Sequence, residues 1–120
     1  MTSQGSAHAR FRRALASGNP TLVVAAAAEV GRLSLGEALA VTLVFLPGDP
    51  ERYDRASVRW HARWSLEARP RADESGLALA ALRALPGPAR QAAGEALLEL
   101  LERRGIDDAA RVMSAWLAAG

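Results

Sequence analysis

An all-α fold is predicted for this chain by three observations. Alanine and leucine dominate a half-apolar composition with only 5% aromatics, which suits closely packed helices better than strands. Proline and glycine recur at short intervals beside capping residues, and apolar side chains between them repeat at the helical period. The expected architecture is a compact bundle, or a short right-angled stack, of about six to seven short helices without a sheet. A length of 120 residues permits one real core and leaves no room for two. Residues 1–6 are expected to form a flexible tail and residues 7–120 a single all-α domain.

The first helix is expected over roughly Ala7 to Ser17 and the second after Gly18, with Asn19 as N-cap and Pro20 at the first helical position. Gly31 closes the second helix. Ser34, Leu35, Gly36 and Glu37 then match a capping box, in which hydroxyl and carboxylate satisfy orphan N–H groups reciprocally, and a third helix should reach about Leu46. In the turn Pro47, Gly48, Asp49, Pro50, the aspartate can cap and the proline can open a fourth helix, Pro50 to Glu67, which ends before Pro70. Asp73 or Ser75 is the expected cap of a fifth helix through about Leu85. Pro86, Gly87 and Pro88 interrupt it, and a sixth helix runs to Arg104 with Gly105 at C′. Asp107 to Ala118 makes the last helix, with acids in the first turn where the macrodipole favours them.

Apolar faces are read at Leu22, Ala26 and Val30; at Leu35, Leu39, Leu43 and Leu46; at Leu97, Leu100 and Leu101; and at Val112, Trp116 and Leu117. Gly36, Glu37, Ala38, Leu39 reappears as Gly94, Glu95, Ala96, Leu97, each followed by a helix with arginine and tryptophan, Trp60 or Trp116. Duplication of a three-helix unit would explain the echo, and so would chance among Ala/Leu/Glu-rich helices.

Every basic side chain among the 15 is arginine, so the high pI reflects guanidinium chemistry while the formal net charge is only +2. Such an excess does not by itself draw a protein to phosphate polymers; clustering would have to. Through Arg69 the chain carries 9 arginines against 6 acids, and beyond it 6 against 7. The absence of cysteine excludes disulfides, thiolate nucleophiles and cysteine zinc sites. Met1 to Ala9 is polar and lacks the apolar core of a secretory signal, and the apolar runs Leu22 to Ala28 and Ala38 to Leu46 are too short to span a bilayer. A soluble, cytoplasmic protein is the expectation.

The most telling segment is the fourth helix. Arg52, Arg55, Arg59 and Arg63 fall within about 80° of its circumference, and Tyr53, Trp60 and Trp64 within about 40° beside them. Three readings fit. The rings can anchor a core while the arginines cover its edge with their methylene stems. Alternatively, the guanidinium groups can follow phosphates while Tyr53, Trp60 or Trp64 stack on bases, or the seam can meet a protein, since Trp, Tyr and Arg are enriched at interfaces. Exposure of Trp60 and Trp64 separates the core reading from the two surface readings.

Asp54, Ser57 and His61 share a helical face and imitate a hydrolase triad, but a mid-helix serine has neighbouring N–H groups already engaged and no oxyanion hole. His8 is far from His61 in sequence and is expected in a frayed N-terminus, so no histidine pair has metal-ligand spacing. Asp73 with Glu74 and Asp107 with Asp108 lie at helix starts, where capping accounts for them. Neither a calcium loop nor a glycine-rich phosphate loop appears, and no cofactor is expected. Arg10, Arg12 and Arg13 form a second basic cluster, while Phe11 and Leu15 give that helix a core-facing edge.

From Leu33 to Trp64, Leu-Ser-Leu-Gly-Glu-Ala-Leu, Asp-Pro-Glu-Arg-Tyr and Ala-Ser-Val-Arg-Trp resemble short all-helical proteins of unknown function from high-GC bacteria. The resemblance implies an arginine- and alanine-rich helical domain and supplies no activity or catalytic residue. The expected function is a small non-enzymatic module that holds a protein partner or a second copy of itself. The alternative is a nucleic-acid-binding domain using the arginine and aromatic helix.

Overall fold

The structure is a computed structural model that describes residues 3–120. Seven helices and no strand are found among the described residues: α1 (Ser3–Ser17), α2 (Pro20–Val30), α3 (Leu35–Val44), α4 (Pro50–Ala68), α5 (Ala72–Ala84), α6 (Arg90–Arg103) and α7 (Asp107–Ala118). The all-α bundle read from the sequence is the observed fold. α1 begins at Ser3 rather than near Ala7. Of the tail expected over residues 1–6, residues 1 and 2 lie outside the described residues and the rest belongs to this helix.

Local chemistry explains the boundaries. Asn19 Oδ1 accepts from the N–H groups of Thr21 (3.0 Å) and Leu22 (3.3 Å), which caps α2 ahead of Pro20. The Ser34 capping box is complete: Ser34 Oγ accepts from Glu37 N–H at 3.1 Å, and Glu37 Oε1 accepts from Ser34 N–H at 2.8 Å. Asp49 accepts from Arg52 N–H at 3.1 Å and starts α4. α5 departs from expectation. It begins at Ala72 without a side-chain N-cap; Glu74 reaches back to the Arg71 N–H (2.9 Å), and Asp73 accepts from Glu74 N–H (3.0 Å) inside the first turn. Neither Asp73 nor Ser75 is the cap, because Arg69 in the left-handed region (φ 49°) and Pro70 turn the chain early enough for the helix to start before them.

Helices α3 to α7 close a ring. Each packs on its sequence neighbour, and α7 returns to pack on α3. Tyr53, Trp60, Trp64, Leu39, Leu82, Leu97, Leu100, Leu101 and Met113 fill its interior. The α1–α2 hairpin has a small core of its own, Phe11, Ala14, Val23 and Ala26, and docks on α3 through Val41 and Val44. Arg10 spans the hairpin with a bidentate pair to Glu29 (3.2 and 3.1 Å), so this member of the N-terminal basic cluster is used internally.

Two expected faces are corrected. Leu22 is 53% exposed, and Val23 with Ala26 forms the buried face of α2; a helix that is apolar almost all round gives periodicity no face to choose. In α7 the buried residues are Ala109, Ala110 and Met113, while Val112, Trp116 and Leu117 are only half-buried. Small side chains let α7 sit close to α3 and α6, which pushes the larger ones to the edge. Trp116 there carries the Arg90 guanidinium 4.1 Å above its ring.

The repeated Gly-Glu-Ala-Leu has a packing reason. A Cβ on Gly36 would lie 2.7 Å from Asp108, and one on Gly94 would lie 2.5 Å from Leu117 Cδ2, so both glycines admit α7. In a duplication with α3 equivalent to α6 and α4 to α7, Gly36 would face α4. It faces α7, and Trp60 is buried where Trp116 is not.

Candidate functional site

The fourth helix separates its two stripes. Tyr53 (2% exposed), Trp60 (3%) and Trp64 (0%) point into the ring, as the core-anchor reading requires. Each ring has a defined place. Tyr53 Oη donates to the Leu82 carbonyl at 2.5 Å, and its helical acceptor duty would otherwise fall to residue 86, a proline without an N–H. Burial, with Asp54 adding to it, holds the Tyr53 phenol above its ordinary range. Trp60 Nε1 donates to the Leu35 carbonyl at 2.9 Å and ties α4 to the first turn of α3. Trp64 stacks on Trp60 at 6.1 Å, and its buried Nε1 meets no acceptor among the described residues.

The arginines stay at the surface. Arg55 and Arg59 are exposed, and Arg52 and Arg63 are half-buried. Arg63 is neutralised by Glu67 at 2.6 Å, with Arg32 3.8 Å from the same carboxylate. Arg52 lies over the Phe45 ring, 4.7 Å from its centroid. No ion pair engages Arg52, Arg55 or Arg59 among the described residues.

Arg52, Arg59 and Arg63 form one wall of a cleft of about 320 Å³ between α2, α3 and α4. Val24 and Ala27 of α2 oppose them, and Leu33 lies in the connection to α3. The floor is Ala38, Val41, Thr42 and Phe45 of α3, with Ala56 and Trp60 at the foot of α4. No acidic residue lines it. Apolar surface with a few convergent polar groups is the usual composition of a binding cleft. Arg55 does not line it.

Of the sequence-predicted site residues, Arg52, Arg59 and Arg63 therefore line one cleft, Arg55 does not, and Trp60 contributes to its base. Tyr53 and Trp64 belong to the core alone. Val24, Ala27, Ala38, Val41 and Phe45 escaped the sequence reading; the available signal was that α2 and α3 are apolar on more faces than one core can use.

The imitation triad does not assemble. Ser57 Oγ donates to the Asp54 backbone carbonyl at 2.8 Å, and His61 Nε2 lies 2.8 Å from the Ser75 carbonyl, turned toward α5. His8 belongs to α1, with Nε2 3.6 Å from Glu37. No group of three or more metal-ligating side chains, and no helix long and apolar enough to cross a membrane, occurs among the described residues. Set against known proteins, the chain matches no protein family, and no curated protein or solved structure is similar to it.

Proposed function

We propose that this protein is a small non-enzymatic interaction module of the cytoplasm, and that the cleft between α2, α3 and α4 is where it holds a protein partner. One observation carries the reading: a largely apolar cleft is lined along one side by three arginines and by no carboxylate. A core edge with no further role would more economically pair those arginines with acids, as Arg63 is paired with Glu67. The nucleic-acid reading keeps its phosphate-binding charges but loses its stacking platform, because all three rings are buried.

A photo-crosslinking side chain at Val41, in the cleft, and another at Ala92, exposed on α6, test the reading in cells that make the protein. Protein adducts are expected from position 41 and not from 92, and they should vanish when Ala38→Trp fills the cleft. Equal adducts from both positions, or adducts that survive Ala38→Trp, would remove the proposal.

A further inference from the structure

The geometry points to a specific occupant: we infer that the cleft takes an amphipathic helix of a partner protein, with acids two turns apart facing Arg52 and Arg59. The inference rests on the docking reading above and adds the chemistry of what docks.

Charge sets the first constraint. Arg52 and Arg59 have no carboxylate partner among the described residues, and the cleft lining contains none. A segment entering with apolar side chains alone would leave both guanidinium groups beside a newly dried surface. One that brings two carboxylates restores their solvation with charge-assisted hydrogen bonds. Arg63 is already held by Glu67 at 2.6 Å, so the demand for anions is confined to the Arg52 end of the wall.

Spacing sets the second. Arg52 and Arg59 are seven residues apart on one helix, so their attachment points lie about 10.5 Å apart along the axis and only about 20° apart around it. A helix lying alongside α4 matches that interval with acids at i and i+7. It then presents the intervening i+3 and i+4 positions, on the same side, to Val24, Val41 and Phe45. An extended segment does not match. At about 3.3 Å per residue, 10 Å corresponds to three residues, and residues three apart in a strand point to opposite faces. A strand would also lack main-chain partners, because no sheet edge exists among the described residues.

Two partners of the wrong chemistry are thereby disfavoured. A phosphate polymer would leave the apolar floor uncovered. A second copy of this chain offers Glu95, Glu99 and Glu102 on the exposed face of α6, but only Ala92 as an exposed apolar residue there, which cannot fill the cleft.

Three labelled peptides of about 18 residues, each leucine-faced and free of tryptophan, test the inference by fluorescence anisotropy against the intact protein. One carries Glu at i and i+7, one Gln at both positions, and one Glu at i and i+5. The first should bind, with amide shifts at Val24, Val41 and Phe45 in NMR spectra. The Gln peptide should bind about tenfold more weakly, as expected for losing two partly exposed ion pairs, and the i, i+5 peptide, which can seat only one acid in register, should fall between the two. Arg52→Gln with Arg59→Gln should erase the preference for acids while thermal stability is retained. Equal binding of all three peptides, or unchanged preference in the double variant, overturns the inference. So does a concentration-dependent dimer abolished by Ala38→Trp, or arginine-dependent binding of single-stranded nucleic acid. Should position 41 crosslink a protein partner while no peptide binds, the docking reading stands and the acidic helix falls.

Discussion

Replacing Gly36 with alanine probes the contact that closes the ring. In an exposed helix interior this exchange stabilises by about 0.5–1 kcal/mol, since alanine has less backbone freedom to lose. At Gly36 the added Cβ would lie 2.7 Å from both the Asp108 carbonyl carbon and Oδ2, and 2.8 Å from Cγ. The carbonyl carbon is backbone and cannot swing aside. α7 must retreat by about 0.7 Å to reach ordinary van der Waals distance. That movement also stretches the 2.8 Å hydrogen bond from Gly36 N–H to Asp108 Oδ2 beyond useful length. Overpacking of this kind costs about 1–3 kcal/mol, and a hydrogen bond to a charged acceptor is worth about 1.5–3 kcal/mol. With partial relaxation and the backbone gain set against them, the net loss is about 2–4 kcal/mol.

For a domain of this size that corresponds to a fall in Tm of about 8–15 °C. Gly76→Ala is the internal control, because nothing lies within 4 Å of its Cβ and α5 continues on both sides. It should raise Tm by about 2–4 °C. Thermal melts followed by far-ultraviolet circular dichroism measure both. A Gly36→Ala protein that melts with the wild type, or above it, would show that α3 and α7 are not in close contact and that the ring is open there.

Tyr53→Phe should cost about 1–3 kcal/mol in urea unfolding, because the Leu82 carbonyl loses its side-chain donor and Pro86 supplies no N–H in its place; a change below about 0.5 kcal/mol would refute that account. Asp108 provides a pH dependence. Burial acts to raise its pKa, but hydrogen bonds from Ser34, Gly36 and Ala109 outweigh burial and hold the carboxyl below the ordinary range. A carboxyl depressed in the folded state stabilises fully above its unfolded value of about 4, and that stabilisation disappears as pH falls through the folded value. Asp108→Asn should therefore be less stable than wild type at neutral pH, with the gap narrowing below about pH 4; a gap independent of pH in urea midpoints would exclude the mechanism.

Much of this fold is legible because it is local. The caps at Asn19, Ser34 and Asp49 satisfy N–H groups within three residues, so the sequence contains both partners. Leu35, Leu39 and Leu43 repeat at the helical period along α3, and all three are buried. Failure begins where the deciding partner is remote. Nothing near Leu22 tells which side of α2 meets α1, and nothing near Asp108 reveals that its carboxylate will cap α3 across 72 positions. Arg104 is another such case: its guanidinium donates to the Ala68 carbonyl at 2.5 Å and lies 3.8 Å from Glu74, tying the end of α4 to α5 from a helix terminus much later in the chain.

The cleft is remote in the same sense, and this bears on what creates it. α4 supplies the guanidinium wall, but the helix alone would present those arginines to water as an ordinary solvated face. The concavity arises because the α1–α2 hairpin has its own small core and docks on the ring mainly through α3, so that α2 and α4 stand on either side of Val41 and Phe45 without close backbone approach. Arg52 bridges part of the gap over Phe45 rather than closing it with a carboxylate. A binding surface built from two packed units and a shared floor helix depends on all three. It follows that a substitution deep in the hairpin core, such as Phe11→Ala, at a residue that does not itself line the cleft, should weaken binding of the acidic helix by loosening α2. In contrast, an equally destabilising change on the far side of the ring, at Leu100, should lower stability and leave the affinity of the folded protein intact.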